Sequence, residues 1–180
     1  MLARTRITPN QVTGANTALG LFAAALIAMA GYWPPLIGVL LLLISVTIDG
    51  VDGELARMKL AQSDFGGKLD AVTDTVVNFA MFVGVAIAAY KLGGPLYLKL
   101  FPLFMTGCIL CAATAYWVAQ TRAQDSLSLL EKLTSRDFVY AVIPFAILGR
   151  MDLLMWAAVI GSFVFPLLLW SLTFWRPRAT

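Results

Sequence analysis

The chain has 180 residues, of which 60% are hydrophobic and only 13% are charged, and its mean hydropathy is +0.83. Soluble domains carry roughly 25% charged residues, so this composition excludes an ordinary soluble domain. The absence of histidine excludes a histidine-based catalytic triad and a histidine zinc site. The net charge is +3, but the 13 basic residues are scattered along the chain, which argues against nucleic-acid binding.

Uncharged apolar runs predict six membrane helices, because an apolar stretch of about 20 residues crosses a bilayer. Helix 1 is predicted over Val12 to Gly31 and helix 2 over Leu36 to about Lys59, with the Trp33-Pro34-Pro35 turn between them. The remaining runs are Thr75 to Tyr90, Leu100 to Thr121, Phe138 to Gly149 and Leu153 to Trp175. The predicted fold class is therefore all-α, an integral membrane domain with six transmembrane helices. The fifth run is short for a span, and extension through Arg136 and Asp137 would lengthen it.

The basic residues predict the orientation of these helices. With six spans, both termini and the connections between helices 2 and 3 and between helices 4 and 5 lie on one side of the membrane. That side carries ten of the 13 basic residues, and the other side carries Lys91, Lys99 and Arg150. Because Lys and Arg are enriched in cytoplasmic loops, we expect a protein integral to the cytoplasmic (inner) membrane. The acidic segment from Asp49 to Asp74 would then face the cytoplasm.

That segment holds six of the ten acidic residues within 26 positions. Helical spacing on helix 2 groups five positions on one face: Asp49, Asp52, Gly53, Ala56 and Arg57. After a predicted turn over Gln62 to Gly67, the residues Gly66, Asp70 and Asp74 recur at intervals of four on helix 3. If helices 2 and 3 form an antiparallel hairpin, the two faces point at each other and four carboxylates converge. Glu54 and Asp64 are interpreted as bystanders.

Four convergent carboxylates at membrane depth repel one another unless they are protonated or a cation neutralises them. Carboxylate oxygens select hard cations such as Mg²⁺, Mn²⁺ or Ca²⁺, and four carboxylates can hold one or two ions. The small residues Gly53 and Ala56 leave a hollow for a diphosphate, and Arg57 can contact its oxygens. Taken singly, each aspartate could be a solvated charge at a helix end, but their shared register favours a site. Cys108 and Cys111 are interpreted as small buried hydrophobes rather than a redox or metal pair.

These residues resemble the signature of the CDP-alcohol phosphotransferase family, D-x2-D-G-x2-A-R-x8-G-x3-D-x3-D. All eight specified positions are present, from Asp49 to Asp74, with the family spacing. The segment Thr8-Pro9-Asn10-Gln11-Val12-Thr13 is also similar to the one that precedes helix 1 in this family, and six spans match its architecture.

The resemblance implies a membrane enzyme that transfers a substituted phosphate from a CDP-linked donor to an acceptor alcohol and releases CMP. It implies that Asp49, Asp52 and Asp70 bind metal, two Mg²⁺ or Mn²⁺ ions, with Asp74 as a further ligand or the general base. It also implies a CDP-binding surface of Gly53, Ala56, Arg57 and Gly66. We further expect a homodimer. A divalent-cation transporter and a membrane scaffold are the alternatives from other classes.

The donor and the acceptor stay open at this level. The donor would be of the CDP-diacylglycerol or CDP-inositol type. Arg122, Lys132 and Arg136 could bind an acceptor phosphate, or they could be ordinary cytoplasmic loop charge. The Ser135-Arg136-Asp137 triplet and the form of the signature look most like members that use inositol phosphate or other polyol phosphates, including those that make di-myo-inositol phosphate phosphate. Glycerol-3-phosphate, serine and an aminoalcohol stay open as acceptors, and a phosphatidylglycerophosphate-type phospholipid synthase of the same family is the alternative enzyme.

The organisation expected is a single domain over residues 1–180. Members of the family often begin with an amphipathic helix at the membrane surface, and only Met1 to Thr8 precede the Pro-Asn pair here. The resemblance therefore implies a truncated chain or a domain excised from a longer or fused protein.

Overall fold

The structure, a computed structural model, describes residues 9–29, 31–58, 64–121 and 138–175. Over these residues every regular element is an α-helix, so the predicted all-α class is confirmed. We number the helices in chain order as α1 Pro9–Ile27, α2 Trp33–Met58, α3 Asp64–Gly93, α4 Leu96–Thr121, α5 Phe138–Ile147 and α6 Met151–Trp175. Each of them corresponds to one of the predicted apolar runs.

Several helix ends differ from the prediction by a few residues, and three of the differences have a clear local cause. Helix 1 is predicted to reach Gly31, but α1 ends at Ile27 and Gly31 has a φ of 107°, a left-handed conformation that a helix interior does not allow. α2 begins at Trp33, ahead of the predicted Leu36, because proline is tolerated in a first turn whose N–H groups have no intrahelical partner. α3 begins at Asp64, inside the predicted turn, because an acidic residue at a helix N-terminus interacts favourably with the helix dipole.

Within the residues that the structure describes, three helices are long and apolar enough to cross a membrane, over Val72–Gly93, Leu96–Val118 and Met151–Ser171. The apolar parts of α1 and α2, Gln11–Ile27 and Trp33–Ile48, are shorter, and α5 has 10 residues. Large apolar side chains cover the outside, and Ile109 on α4, for example, is 69% exposed. Because such a surface is unfavourable in water and favourable in lipid, the described chain has the character of a membrane protein. Six complete spans stay a prediction.

α1 is the helix that α2 and α3 have as a common neighbour. It packs against both of them, whereas α4 packs against α3 and α6, and α5 packs against α2 and α6. The largest fully buried side chains of the central core come from four of these helices, and they include Ile27, Leu42, Met81, Val85 and Met155. The position of α1 therefore sets how α2 and α3 are arranged.

Glycines let the neighbouring helices approach the α1 backbone closely. A Cβ atom on Gly38 of α2 would lie 2.7 Å from the carbonyl oxygen of Ala23, and a Cβ atom on Gly84 of α3 would lie 2.6 Å from the carbonyl oxygen of Ala24. Both distances are shorter than an ordinary carbon–oxygen contact, so only glycine fits at these two positions without a shift of the helices. Small residues at helix interfaces are the usual means of close packing in membranes.

Side-chain hydrogen bonds connect the helices at the end where α1 finishes and α2 begins. Lys91 Nζ donates to the carbonyl oxygen of Ala28 at 2.8 Å, just beyond the C-terminus of α1, where a cation also interacts favourably with the helix dipole. The Tyr32 hydroxyl donates to the carbonyl oxygen of Ile147 at 2.9 Å and so joins the start of α2 to the end of α5. This end of the bundle lies opposite the acidic segment.

Candidate active site

The acidic positions of α2 lie on the face that packs against α1. The helix continues to Met58, so each residue turns the side-chain direction by about 100°. Viewed along the helix axis, the positions of Asp49 and Asp52 therefore lie within an arc of about 60° that also contains Gly38 and Ser45. Gly38 contacts the α1 backbone, and the Ser45 hydroxyl donates to Asn16 of α1. The signature face of α2 is thus a continuation of its α1-facing side.

The signature positions of α3 are arranged in the same way. Val77 and Gly84, which are seven residues apart, both contact α1. Asp70 lies a further seven residues before Val77 and Gly66 lies four before Asp70, so these positions are within about 40° of the α1-facing direction. Asp74, three residues before Val77, is rotated by about 40° more. Both acidic faces therefore turn toward α1.

The two acidic segments also lie at the same level along α1. Asn16 bonds to Ser45, one helical turn before the first acid of α2. Gly20, one turn further along α1, approaches Val77, one turn after the last acid of the signature, where its Cβ would be 2.6 Å from Val77 Cγ1. The N-terminal turns of α1 therefore lie level with the acidic ends of both α2 and α3. The sequence indicated a site formed by helices 2 and 3 alone. The structure adds α1 as a third helix next to the acidic segments.

The structure describes the backbone of all the signature residues but the side chains of only some of them. All eight signature positions have helical backbone, including Gly66, which lies within the predicted turn. The side chain of Asp74 is half-buried, and Gly66 is likewise half-buried. The other predicted side chains of the site lie outside the described part of the chain, namely those of Asp49, Asp52, Ala56, Arg57 and Asp70. The predicted acceptor residues lie entirely outside the described part of the chain, namely Arg122, Lys132 and Arg136.

The acidic segments lie at the edge of the apolar zone rather than in its middle. Asp49 directly follows the apolar segment Trp33–Ile48, and the candidate span of α3 begins at Val72, two residues after Asp70. Among the side chains that the structure describes, no group of three or more Asp, Glu, Cys or His residues could hold a metal ion.

The donor set nevertheless fits a divalent cation. The helix register turns four aspartate positions toward one end of α1, and aspartates supply only hard oxygen ligands, which Mg²⁺ and Mn²⁺ prefer. Carboxylates that share one site also disfavour one another's charge unless a cation is present. The composition and register of the site therefore suit the predicted metals.

Sequence reasoning did not single out Asn16 and Ser45. Ser45 is only 4% exposed and lies in a run without charge, where a serine reads as a small filler residue. A usable signal existed, because Ser45 is four residues before Asp49 and so extends the signature face by one turn. The partner on α1 could not be known before the helices were placed.

The cysteines are not part of this site. Both are half-buried within α4, and the Cys111 thiol donates to the carbonyl oxygen of Ser162 on α6 at 3.1 Å. Gly107, one turn earlier on α4, packs directly against Ser162. Cys111 therefore contributes to α4–α6 packing, and both cysteines are half-buried rather than fully buried as predicted.

The family model of CDP-alcohol phosphatidyltransferase matches residues 6–168. This match covers most of the chain, including all three helices around the acidic segments, so the chain belongs to the CDP-alcohol phosphatidyltransferase family of transferases. The resemblance seen in the signature is thereby confirmed.

Similar curated proteins bear one name, Bifunctional IPC transferase and DIPP synthase. The chain is 39% identical to the one from Aquifex aeolicus over 82 residues, 38% to the one from Thermococcus kodakarensis over 85 residues, and 35% to the one from Archaeoglobus fulgidus over 83 residues. Each alignment covers 46% of this chain, but 18%, 18% and 16% of the respective relative. The matched part thus spans less than a fifth of the length of these relatives.

Proposed function

We propose that the chain transfers a substituted phosphate from a CDP-linked donor to the hydroxyl of a polyol phosphate, with inositol phosphate as the acceptor class, and releases CMP. The observation that carries this proposal is the arrangement of the signature, whose two acidic helix faces both turn toward the N-terminal end of α1. A donor diphosphate and an acceptor hydroxyl would meet there. The activity belongs to one domain, since the family match runs through residues 6–168.

In this proposal Asp49, Asp52, Asp70 and Asp74 hold two divalent ions, Mg²⁺ or Mn²⁺. Two such ions, when bound, neutralise the diphosphate charge and stabilise the attacking and leaving oxygens. Gly53 and Ala56 leave room for the cytidine diphosphate against α2, and Gly66 does so at the first turn of α3. Arg57 donates hydrogen bonds to the phosphate oxygens.

The chemical step conserves atoms and charge in one displacement. The acceptor hydroxyl oxygen forms a bond to the β-phosphorus of the donor, and the bond from that phosphorus to the oxygen that bridges to the α-phosphate breaks. The electron pair of the broken bond leaves with CMP. Asp74, the last carboxylate of the signature, takes the hydroxyl proton as general base. Its side chain is half-buried and therefore partly accessible to an acceptor.

The acceptor assignment rests on the relatives and on the loop after α4. The relatives' name contains DIPP synthase, which agrees with the di-myo-inositol phosphate phosphate branch. Arg122, Lys132 and Arg136 would bind the phosphate of the acceptor. A CDP-inositol donor fits this branch best, whereas CDP-diacylglycerol with glycerol-3-phosphate is the phospholipid-synthase alternative.

We further propose six spans with the site on the cytoplasmic side of the inner membrane, and a homodimeric enzyme. The ten-to-three distribution of basic residues supports the orientation. The position of Asp49 just after the apolar segment Trp33–Ile48 supports a site at the membrane surface. A cation transporter would need carboxylates near the middle of the bilayer.

The direct test is to incubate purified protein with Mn²⁺ or Mg²⁺ and either CDP-inositol or CDP-diacylglycerol, together with a panel of acceptors. We expect stoichiometric CMP and a phosphodiester product with inositol phosphate, identified by mass. Chelation with EDTA should abolish CMP release, and added Mn²⁺ should restore it. No CMP with any donor would overturn the proposed function, and Mn²⁺ flux into vesicles would favour the transporter instead.

A second prediction concerns the acceptor residues. Arg136→Ala should raise the KM for the phosphorylated acceptor about tenfold, because a hydrogen bond to a charged group contributes about 1.5–3 kcal/mol. The KM for the CDP-linked donor should not change. Lys99→Ala, at the opposite end of the bundle, is the matched control and should leave both constants at the wild-type value. An equal rise of both KM values in Arg136→Ala would assign that residue to the donor rather than the acceptor.

A further inference from the structure

We propose that Asn16 and Ser45 form a positioning pair for the active site, in which their hydrogen bond fixes the distance between α1 and the turn of α2 that leads into Asp49. The Ser45 hydroxyl donates to Asn16 Oδ1 at 2.9 Å and lies 3.4 Å from the Asn16 carbonyl oxygen. This inference rests on the proposed function, because it assigns the pair a role in holding the metal-binding carboxylates.

The Ser45 hydroxyl bonds to a different helix, whereas several other hydroxyls in the helices bond within their own helix. The hydroxyls of Thr17, Thr47 and Thr106 each donate to the carbonyl oxygen four residues earlier in their own helix. That local bond is the usual solution for a hydroxyl in a membrane helix, where no water is available. Ser45, although 4% exposed, bonds across to α1 instead. Its hydroxyl therefore contributes to the relative position of two helices.

The location of the pair connects it to the chemistry. Gly38 fixes the contact between α1 and α2 near the far end of the bundle, and the Asn16–Ser45 bond fixes it again seven residues later on α2. Beyond Ser45, the next turn of the same face carries Asp49. Two fixed points define the direction of a rigid helix, so the bond determines how α2 carries its acidic positions toward α1 and α3.

The consequence is an effect on metal affinity rather than on stability. A single interhelical hydrogen bond adds little to the stability of a membrane helix bundle. Groups that orient metal ligands without touching the metal matter far more for binding, and their loss typically weakens metal affinity about 10–100-fold. The pair should therefore act through the carboxylates of α2 while leaving the fold intact.

The experiment compares Ser45→Ala, Asn16→Ala and the double variant with the wild type in detergent. Mn²⁺ affinity is measured by electron paramagnetic resonance without substrate, and the half-saturating Mn²⁺ concentration and the donor KM are measured from CMP release. We expect each single variant to weaken Mn²⁺ binding about tenfold. The Mn²⁺ affinity of the double variant should equal that of the single variant with the lower affinity, because both changes remove the same bond. The donor KM at saturating Mn²⁺ and the Tm without metal should stay near wild type.

Thr47→Ala is the matched control, since it removes an exposed hydroxyl from the same helix two residues away and should leave Mn²⁺ binding unchanged. Unchanged Mn²⁺ affinity in both single variants would overturn the positioning role, as would a lower Tm without any change in affinity. Additive losses in the double variant would also overturn it, because they would show two independent effects. If the wild type binds Mn²⁺ but releases no CMP from any donor, the proposed function fails, while the resonance measurement still decides the role of the pair.

Discussion

Asp70→Asn and Asp74→Asn should each abolish CMP release from the CDP-linked donor, with kcat reduced by about a thousandfold or more, while the protein remains folded in detergent. Loss of a general base alone typically costs about 10²–10⁴-fold in rate. Loss of a carboxylate ligand adds weaker metal binding to that cost, because an amide oxygen carries no charge to compensate the cation. Both positions lie on the α3 face that turns toward α1.

The fold should tolerate these substitutions for an electrostatic reason. Asparagine has the shape of aspartate, and it removes one negative charge from a segment in which four aspartates share one end of α1. Without metal, fewer like charges mean less repulsion, so the Tm of the variants should equal or exceed that of the wild type. With Mn²⁺ added, the wild type should gain Tm, since a ligand that binds only the folded state stabilises it, and the variants should gain less.

Asp152→Asn is the matched control for both substitutions. Asp152 lies in the first turn of α6, at the far end of the bundle, and accepts hydrogen bonds from Arg150 at 2.8 Å and 2.9 Å. The hydrogen bond to Asp152 also raises the pKa of the Arg150 guanidinium, so that guanidinium stays charged. Because Arg150 is more than half exposed, this ion pair contributes little, and activity should be retained. Full CMP release by Asp70→Asn and Asp74→Asn would contradict the metal-site mechanism.

Much of the local structure was predictable from the sequence, because it depends on residues close together in the chain. The i, i+3, i+7 spacing of Asp49, Asp52 and Ala56 requires a helix that runs past the apolar segment, and α2 does continue to Met58. Within the described residues, each apolar run likewise corresponds to one helix, in the predicted order. The ends of α1 and α2 differ because a left-handed glycine and a proline-rich first turn, rather than hydropathy, decide them.

The arrangement around α1 was not predictable, because it depends on contacts between residues far apart in the chain. Ser45 and Asn16 are 29 residues apart, and neither carries a charge that would attract notice. Gly38 and Gly84 read as ordinary glycines within apolar helices, and only the placed backbones show that each lies against a carbonyl oxygen of α1. The structure therefore identified α1 as the third helix of the candidate site, whereas the sequence had already identified the acidic residues.

The close approach of the helices to α1 gives the second large prediction. Gly38→Ala and Gly84→Ala should each lower the Tm of the protein and reduce CMP release, even at temperatures where the variants remain folded. The added Cβ would meet backbone oxygens of α1, which cannot rotate away as a side chain can, so α2 or α3 must move outward. Overpacking of this kind typically costs about 1–3 kcal/mol of stability. The outward shift would also separate the acidic face of the moved helix from the end of α1.

Gly161→Ala is the matched control, because Gly161 also lies within a long apolar helix but has nothing within 4 Å of its added Cβ. Alanine is favoured over glycine in a helix by up to about 1 kcal/mol, so this variant should match or exceed the wild-type Tm. Thermal unfolding in detergent and the initial rate of CMP release measure the two effects separately. Wild-type activity in both Gly38→Ala and Gly84→Ala would mean that the position of α1 does not control the site. A loss of activity in Gly161→Ala as large as in those variants would mean that any added methyl group disturbs the bundle, whereas the geometry predicts that only the two positions against the α1 backbone do so.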